Sequence, residues 1–219
     1  MTRDTAMNDG LANRDGGRTA QKRKAILEAA TTIFLRDGYL AAGMDEIARL
    51  ADVSKQTIYK QFTSKEALFL EIVSGLTNAG SDAVHGDIPD FVPGSDLHAY
   101  LEDYAYRQLR IVITPRLMQL RRMVIGEAGR FPELGKALYE SGPKRAMAAM
   151  EAMFRHLADR GLLRIDDPSV AASHFNWLVM SQPLNQAMLL GDAGIPEAEA
   201  LRRHAAEAVH VFLAAYGTG

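Results

Sequence analysis

The sequence predicts an all-α protein, and three observations predict it. Apolar residues recur at three and four along nearly the whole chain, as at Ile26, Ala29, Ala30, Ile33 and Phe34, a spacing that lays one apolar stripe along a helix. Cap-forming residues stand where such stripes begin and end. Ser54 and Ser64 can accept from the unpaired N–H groups of a first turn, and Gly38 suits a left-handed C-terminal cap. Prolines fall at segment boundaries, at Pro115, Pro132, Pro143, Pro168 and Pro196, where a first helical turn tolerates the missing N–H.

Taken in order, the first helix is expected from about Ala20 to Asp37 and the second from Met44 to Ala51. In the second, Ile47, Ala48 and Ala51 point inward, while Asp45 and Glu46 suit the positive end of the helix dipole. A tight Asp52-Val53-Ser54 connection leads to a third helix barely two turns long, "KQTIYKQF", and Ser64 opens a fourth through Leu68, Phe69 and Ile72. Gly80, Gly86, Pro89, Pro93 and Gly94 mark a loop, after which the helical pattern resumes with Leu97, Leu101, Tyr104 and Gln108. Gly142-Pro143 separates two later helices. Asp167-Pro168 starts a long one to about Leu190, kinked at Pro183, and Pro196 opens the last, to about Tyr216.

Composition narrows the function classes. With 219 residues, 47% apolar and 24% charged, the chain can bury a full core as one or two domains. The absence of cysteine excludes a disulfide framework and a thiolate metal site. The start lacks a secretory apolar stretch and no run of about 18 apolar residues occurs, so a soluble, cytoplasmic protein is expected. The six histidines are scattered, with no pair at i, i+3 or i, i+4; no metal or cofactor is expected, although a site assembled from distant segments stays open. There is no G-x-S-x-G elbow, P-loop or G-x-G-x-x-G. Glu102 and Asp103 diverge by about 100° on a helix and cannot share a site. The chain is not expected to be an enzyme.

Charge is asymmetric. Residues 1–65 hold 11 Lys/Arg against 8 Asp/Glu, and the remainder 14 against 19. Arg14, Arg18, Lys22, Arg23 and Lys24 fall before or at the start of the first helix, beside a Gly/Asp/Asn-rich stretch read as a flexible basic arm over 1–19. On the third helix, Ile58 and Phe62 point one way, Gln56 and Lys60 point oppositely, and Thr57 and Tyr59 flank. One face docks and the other is offered. Two short helices joined by a tight turn, the second presenting amides, hydroxyls and cations, form the helix-turn-helix arrangement that enters a DNA major groove. Gln can pair with adenine, Thr can touch a thymine methyl, and Lys can reach guanine or phosphate. A merely solvated helix face is the alternative.

The run "ILEAATTIFLRDGYLAAGMDEIARLADVSKQTIYKQFTSKEALFLEIV", with its I-Y-x-x-F-x-x-K-E-x-L pattern at Ile58 to Leu68, resembles the DNA-binding domain of the TetR family of transcriptional regulators. The resemblance implies that Lys55, Gln56 and Thr57 meet bases and that Tyr59, Gln61 and Lys65 fix the phosphate backbone; Lys60 lies on the same outward face by the wheel. One departure is Ala42-Gly43, where many members carry Thr or Ser, leaving backbone N–H groups to meet a phosphate there. "RRMVIGEAGRFPEL" and "LLRIDDPSVAASHF" resemble the C-terminal domain of one TetR-like subgroup. The domains are therefore read as the arm (1–19), a helix-turn-helix DNA-binding domain (20–65) and a larger helical regulatory and dimerisation domain (66–219).

Two further site sets complete the reading. Leu201, Ala205, Ala208, Val209, Phe212 and Tyr216 line one face of the last helix, and Ala171, Phe175, Leu178, Val179 and Leu189 recur along the one before. The resemblance implies a two-fold four-helix dimer interface from Phe175, Leu178, Val179, Leu189, Leu201, Ala205, Val209 and Phe212; burial in the chain's own core is the alternative. Tyr104, Met118, Met123, Met150, Phe154, Phe175 and Trp177, with Met147 and the polar Gln119, Asn176 and His174, either fill a plain core or wall a pocket. The resemblance implies a pocket for a small, mainly apolar molecule. The function read from these features is a ligand-responsive transcriptional repressor that binds a pseudo-palindromic double-stranded DNA operator as a homodimer, without a cofactor or membrane. An all-helical enzyme and a protein-interaction adaptor remain the alternatives.

Overall fold

A computed structural model describes residues 5–86 and 91–218, with side chains from Gly17 onward. The chain forms two compact units that divide between Ile72 and Val73. Regular structure among the described residues is helical, and the extended pairing is one isolated bridge between Leu163 and Gly217. No helix among them is long and apolar enough to cross a membrane.

The smaller unit contains α1 (Thr5–Ala41), α2 (Met44–Leu50), α3 (Lys55–Phe62) and the start of α4 (Lys65–His85). Residues 1–4 of the expected arm lie outside the described residues, and from Thr5 the backbone is helical, so α1 begins well before Ala20. Once the packed turns around Ile26 exist, each residue added to their N-terminal side gains a hydrogen bond without a new nucleus. Gly38 interrupts α1 at φ 82° and ψ 169°, a backbone region that glycine enters freely. One more turn follows, closed by the Ala42 N–H to the Gly38 carbonyl at 3.2 Å, so the helix runs past the expected end at Asp37. Ile26, Ile47 and Ile58 are fully buried, and the rings of Phe34, Tyr39 and Phe69 cluster with centroids 4.8 to 6.0 Å apart. Because Leu68, Phe69 and Ile72 of α4 belong to this core, the division falls inside α4 rather than at residue 65.

Two non-glycine residues with positive φ bracket α3: Asp52 at 52° and Thr63 at 47°. At Thr63 (ψ −40°) the Ser64 N–H donates to the Phe62 carbonyl, a γ-turn of the sparsely populated positive-φ kind. Ser64 then caps α4, its hydroxyl accepting from the Ala67 N–H at 3.0 Å.

The larger unit holds the rest of α4 with α5 (Leu97–Val112), α6 (Pro115–Glu127), α7 (Pro132–Ser141), α8 (Pro143–Asp159), α9 (Pro168–Leu190), a 3₁₀ turn (Gly191–Gly194) and α10 (Ala198–Tyr216). Asp96, Thr114 and Asp167 cap α5, α6 and α9 through their side chains, and α6 to α9 each open on a proline. Of the expected loop prolines, Pro89 lies outside the described residues. Pro183 sits buried inside α9. α10 packs on α5 and α9, and α8 on α9, around Phe154, Phe175 and Phe212, whose ring centroids lie 4.9 to 5.2 Å apart.

That packing corrects the expected dimer surface. Phe175, Val179, Leu201, Ala205, Val209 and Phe212 are at most 4% exposed within the chain's own core, because the faces that carry them meet neighbouring helices of the same chain. Leu178 is half-buried and Leu189 is 80% exposed.

Candidate nucleic-acid interface and cavity

α3 exists because its N-terminus is capped and its inner face is anchored. The Ser54 hydroxyl accepts from the Thr57 N–H at 3.1 Å, which satisfies an orphan donor of the first turn, and Ile58 and Phe62 are buried. The same Ser54 hydroxyl lies 2.8 Å from the Thr57 hydroxyl, fixing the Thr57 rotamer. Lys55, Gln56, Tyr59 and Lys60 are exposed and Thr57 is half-buried, so these five share a solvent-facing surface.

Their electrostatics are not those of bare cations. Lys55 Nζ donates to Asp45 Oδ2 at 2.9 Å, and this hydrogen bond holds its pKa above the ordinary lysine value. Arg36, pushed up by hydrogen bonds to Asp37 and then Glu46, ties the end of α1 to α2 at 3.0 Å. Lys65 and Gln61 stand apart from the outward group. Lys65 Nζ donates to the Leu40 carbonyl at 3.1 Å and lies 5.1 Å from the Tyr39 ring centroid. Gln61 is half-buried, its Oε1 buried without a hydrogen-bond partner, and its backbone carbonyl accepts from Arg23 at 3.5 Å. Arg23 also pairs with Glu71 and lies 4.4 Å over the Phe62 ring. Gly43, the N-cap of α2, supplies no side-chain cap, as the Ala42-Gly43 departure anticipates.

The larger unit contains a cavity of about 310 Å³, walled by α4, α5, α6, α8 and α9 and by Tyr139 and Gly142 near the α7–α8 junction. Of the expected pocket residues, Met118 and Trp177 line it, as do Met147 and Asn176. Tyr104, Met150, Phe154 and Phe175 are instead core, at most 3% exposed, because they sit where α5, α8 and α9 face one another. Met123 lies off the wall, and so do Gln119, which donates to Asp192 at 2.6 Å, and His174, 2.6 Å from the Tyr216 hydroxyl.

Polar wall residues were harder to find by sequence reasoning. Gln108 is 3% exposed and donates through Nε2 to Asn176 Oδ1 at 3.0 Å. His85 Nδ1 lies 2.9 Å from the Tyr104 hydroxyl. Burial, and secondarily the Arg145 charge, pushes the His85 pKa down to about 4, so at neutral pH the ring is uncharged. Burial also pushes the Tyr104 phenol well above its ordinary value. Arg121 lines the same wall, and burial lowers its pKa. The signal for Gln108 and Arg121 was helical register. Gln108 follows Leu101, Tyr104 and Ala105 on one face, and Arg121 lies between Met118 and Val124, so both occupy apolar stripes.

Residues 26–72 match the profile of the bacterial regulatory proteins of the tetR family, and residues 99–218 match that of the C-terminal domain of AefR-like transcriptional repressors. A solved TetR-family transcriptional regulator from Mesorhizobium loti is 37% identical, covers 92% of this chain and 99% of its own, and superposes with a TM-score of 0.86. The solved Flavonoid-responsive Regulator FrrA is 32% identical over 91% of this chain and 98% of its own, with a TM-score of 0.73. The HTH-type transcriptional regulator YhgD of Bacillus subtilis is 36% identical over 111 residues, which is 48% of this chain and 58% of that protein. This chain thus spans less than two thirds of YhgD.

Proposed function

Because the chain belongs to the tetR family of bacterial regulatory proteins, DNA-binding transcriptional regulators rather than enzymes, we propose that it is a repressor released from its operator by a small molecule. In this reading it binds DNA as a two-fold dimer through α3, and the ligand occupies the cavity of the larger unit. The observation that carries the reading is the capped, anchored α3 with its five-residue outward surface. Gln56 and Thr57 read base edges, Lys55 exchanges Asp45 for DNA, and Tyr59 and Lys60 hold phosphates. Lys65 and Gln61 set the stance of α3 from behind. The larger unit supports small-molecule control by its mainly apolar cavity with a few polar groups, and FrrA is by its name a regulator responsive to flavonoids.

We assign dimerisation to what α9 and α10 leave uncovered: Leu189, Leu190 and Val211, at 80%, 64% and 52% exposure. Phe212→Glu, buried as Phe212 is, would report folding; Val211→Arg reports association. Light scattering at micromolar concentration should give a dimer that Val211→Arg weakens, and a monomeric wild type would remove the two-fold reading.

The central test is a fluorescence-anisotropy titration with promoter DNA at several salt concentrations. A Gln56/Thr57/Tyr59 triple alanine variant should lose on the order of 100-fold in operator affinity; wild-type affinity in that variant would sink the assignment. A ligand that weakens operator binding must itself be weakened by operator by the same factor.

A further inference from the structure

Arg121 and Gln108 face the cavity as unfinished polar chemistry. The neighbouring Arg122 donates to the Ala187 carbonyl and to Asp192, each at 2.8 Å, and Arg145 donates to Asn78 at 2.7 Å and Asp82 at 2.6 Å. Among the described residues Arg121 has neither an ion pair nor a hydrogen bond, and the described lining residues include no Asp or Glu. Gln108 Oε1 is buried without a partner. Arg121 is half-buried at the wall, and a guanidinium with no counter-ion there offers its paired N–H donors to a carboxylate.

Building on the cavity as the effector site, we propose that its ligand is an amphipathic monoanion, an apolar ring or chain bearing a carboxylate that meets Arg121 and a hydroxyl that meets Gln108. The neutral His85 adds no second charge, so one anionic group balances the site. At the ~30 Å³ that a water molecule occupies in the liquid, the cavity admits on the order of ten non-hydrogen atoms, the size of an aryl-alkanoic acid. Met118, Met147 and Trp177 supply the apolar surface against which such a skeleton packs.

The test uses the full chain without DNA, so it can succeed or fail independently of operator release. Isothermal titration compares 3-(4-hydroxyphenyl)propanoate with its isosteric amide. The acid should bind wild type at least about tenfold tighter than the amide, one guanidinium–carboxylate pair's worth, and in Arg121→Met the two should agree within about twofold. Arg121→Gln, which keeps polarity and loses charge, should show the same collapse and serves if the methionine variant does not fold. Equal binding of acid and amide, no binding of the acid, or a preference that survives both substitutions would each overturn the proposal.

Discussion

In the smaller unit the polar side chains of α3 stand in solvent and take partners there, Lys55 from Asp45 and Thr57 from Ser54. In the larger unit Gln108 and Tyr104 are buried and Arg121 and His85 half-buried at the cavity wall, and Gln108 Oε1 is buried with no partner. The difference is one of exchange cost. A surface ion pair is worth little, so Lys55 can give up Asp45 for another anion almost freely. A buried donor or acceptor cannot be left alone at that price. The outer face of α3 is therefore suited to trading water and ions for a large polyanion, and the cavity to selecting one small molecule by its chemistry.

The widest gap between the regions should show in stability. Phe154→Ala, inside the aromatic trio at 0% exposure, should cost about 3–5 kcal/mol, whereas Tyr59→Ala should stay within about 0.5 kcal/mol; scanning calorimetry reads both, and similar losses would erase the contrast. Next comes pH. The unfolded His85 titrates near 6.5 and the folded one near 4, so both are neutral above pH 6.5 and stability is whole there. As pH falls from 6.5 toward 4 the unfolded chain takes up the proton first, and stability drops by about 2 kcal/mol after allowance for partial exposure. Urea unfolding at pH 7 and pH 4.5 should show that loss in wild type and its reduction in His85→Gln. At the outward surface of α3, Asp45→Asn should raise operator affinity roughly two- to fivefold at low salt and by less as salt rises; an unchanged affinity would mean that Lys55 does not reach DNA. The smallest effect belongs to Gly43, whose backbone (φ −91°, ψ 129°) and open surroundings accept a side chain. Gly43→Ser should cap α2 and add a few tenths of a kcal/mol, measurable in denaturant titrations.

Much of this architecture was legible because it follows local rules. Ser54, Ser64 and the segment-opening prolines act on their own first turns, and the Ile58/Phe62 stripe is set by a period of 3.6. What failed was the assignment of stripes to partners. The faces of Phe212 and Phe175 looked wide enough for a second chain, yet α5, α8, α9 and α10 of one chain cover them. Periodicity says that a face is buried and is silent on what buries it. Aromatic and methionine content pointed to Phe154 and Met150 as pocket wall, but such residues also fill cores. The informative residues were Gln108 and Arg121, polar at apolar positions, and their meaning depends on which helices they face.

The γ-turn at Thr63 bears on how any signal can reach DNA. Its one-residue turn and the Ser64 cap immediately beyond, accepting from the Ala67 N–H at 3.0 Å, join α3 to α4 without an intervening loop, like two arms of a carpenter's square. If α4 were displaced, so short a joint would carry α3 with it, and Gln56, Thr57 and Tyr59, all on α3, would keep their mutual arrangement. A ligand acting through α4 would rescale affinity for all operators by a common factor while their order of preference stays the same. Strength of binding is adjustable in such a design; the alphabet being read is not.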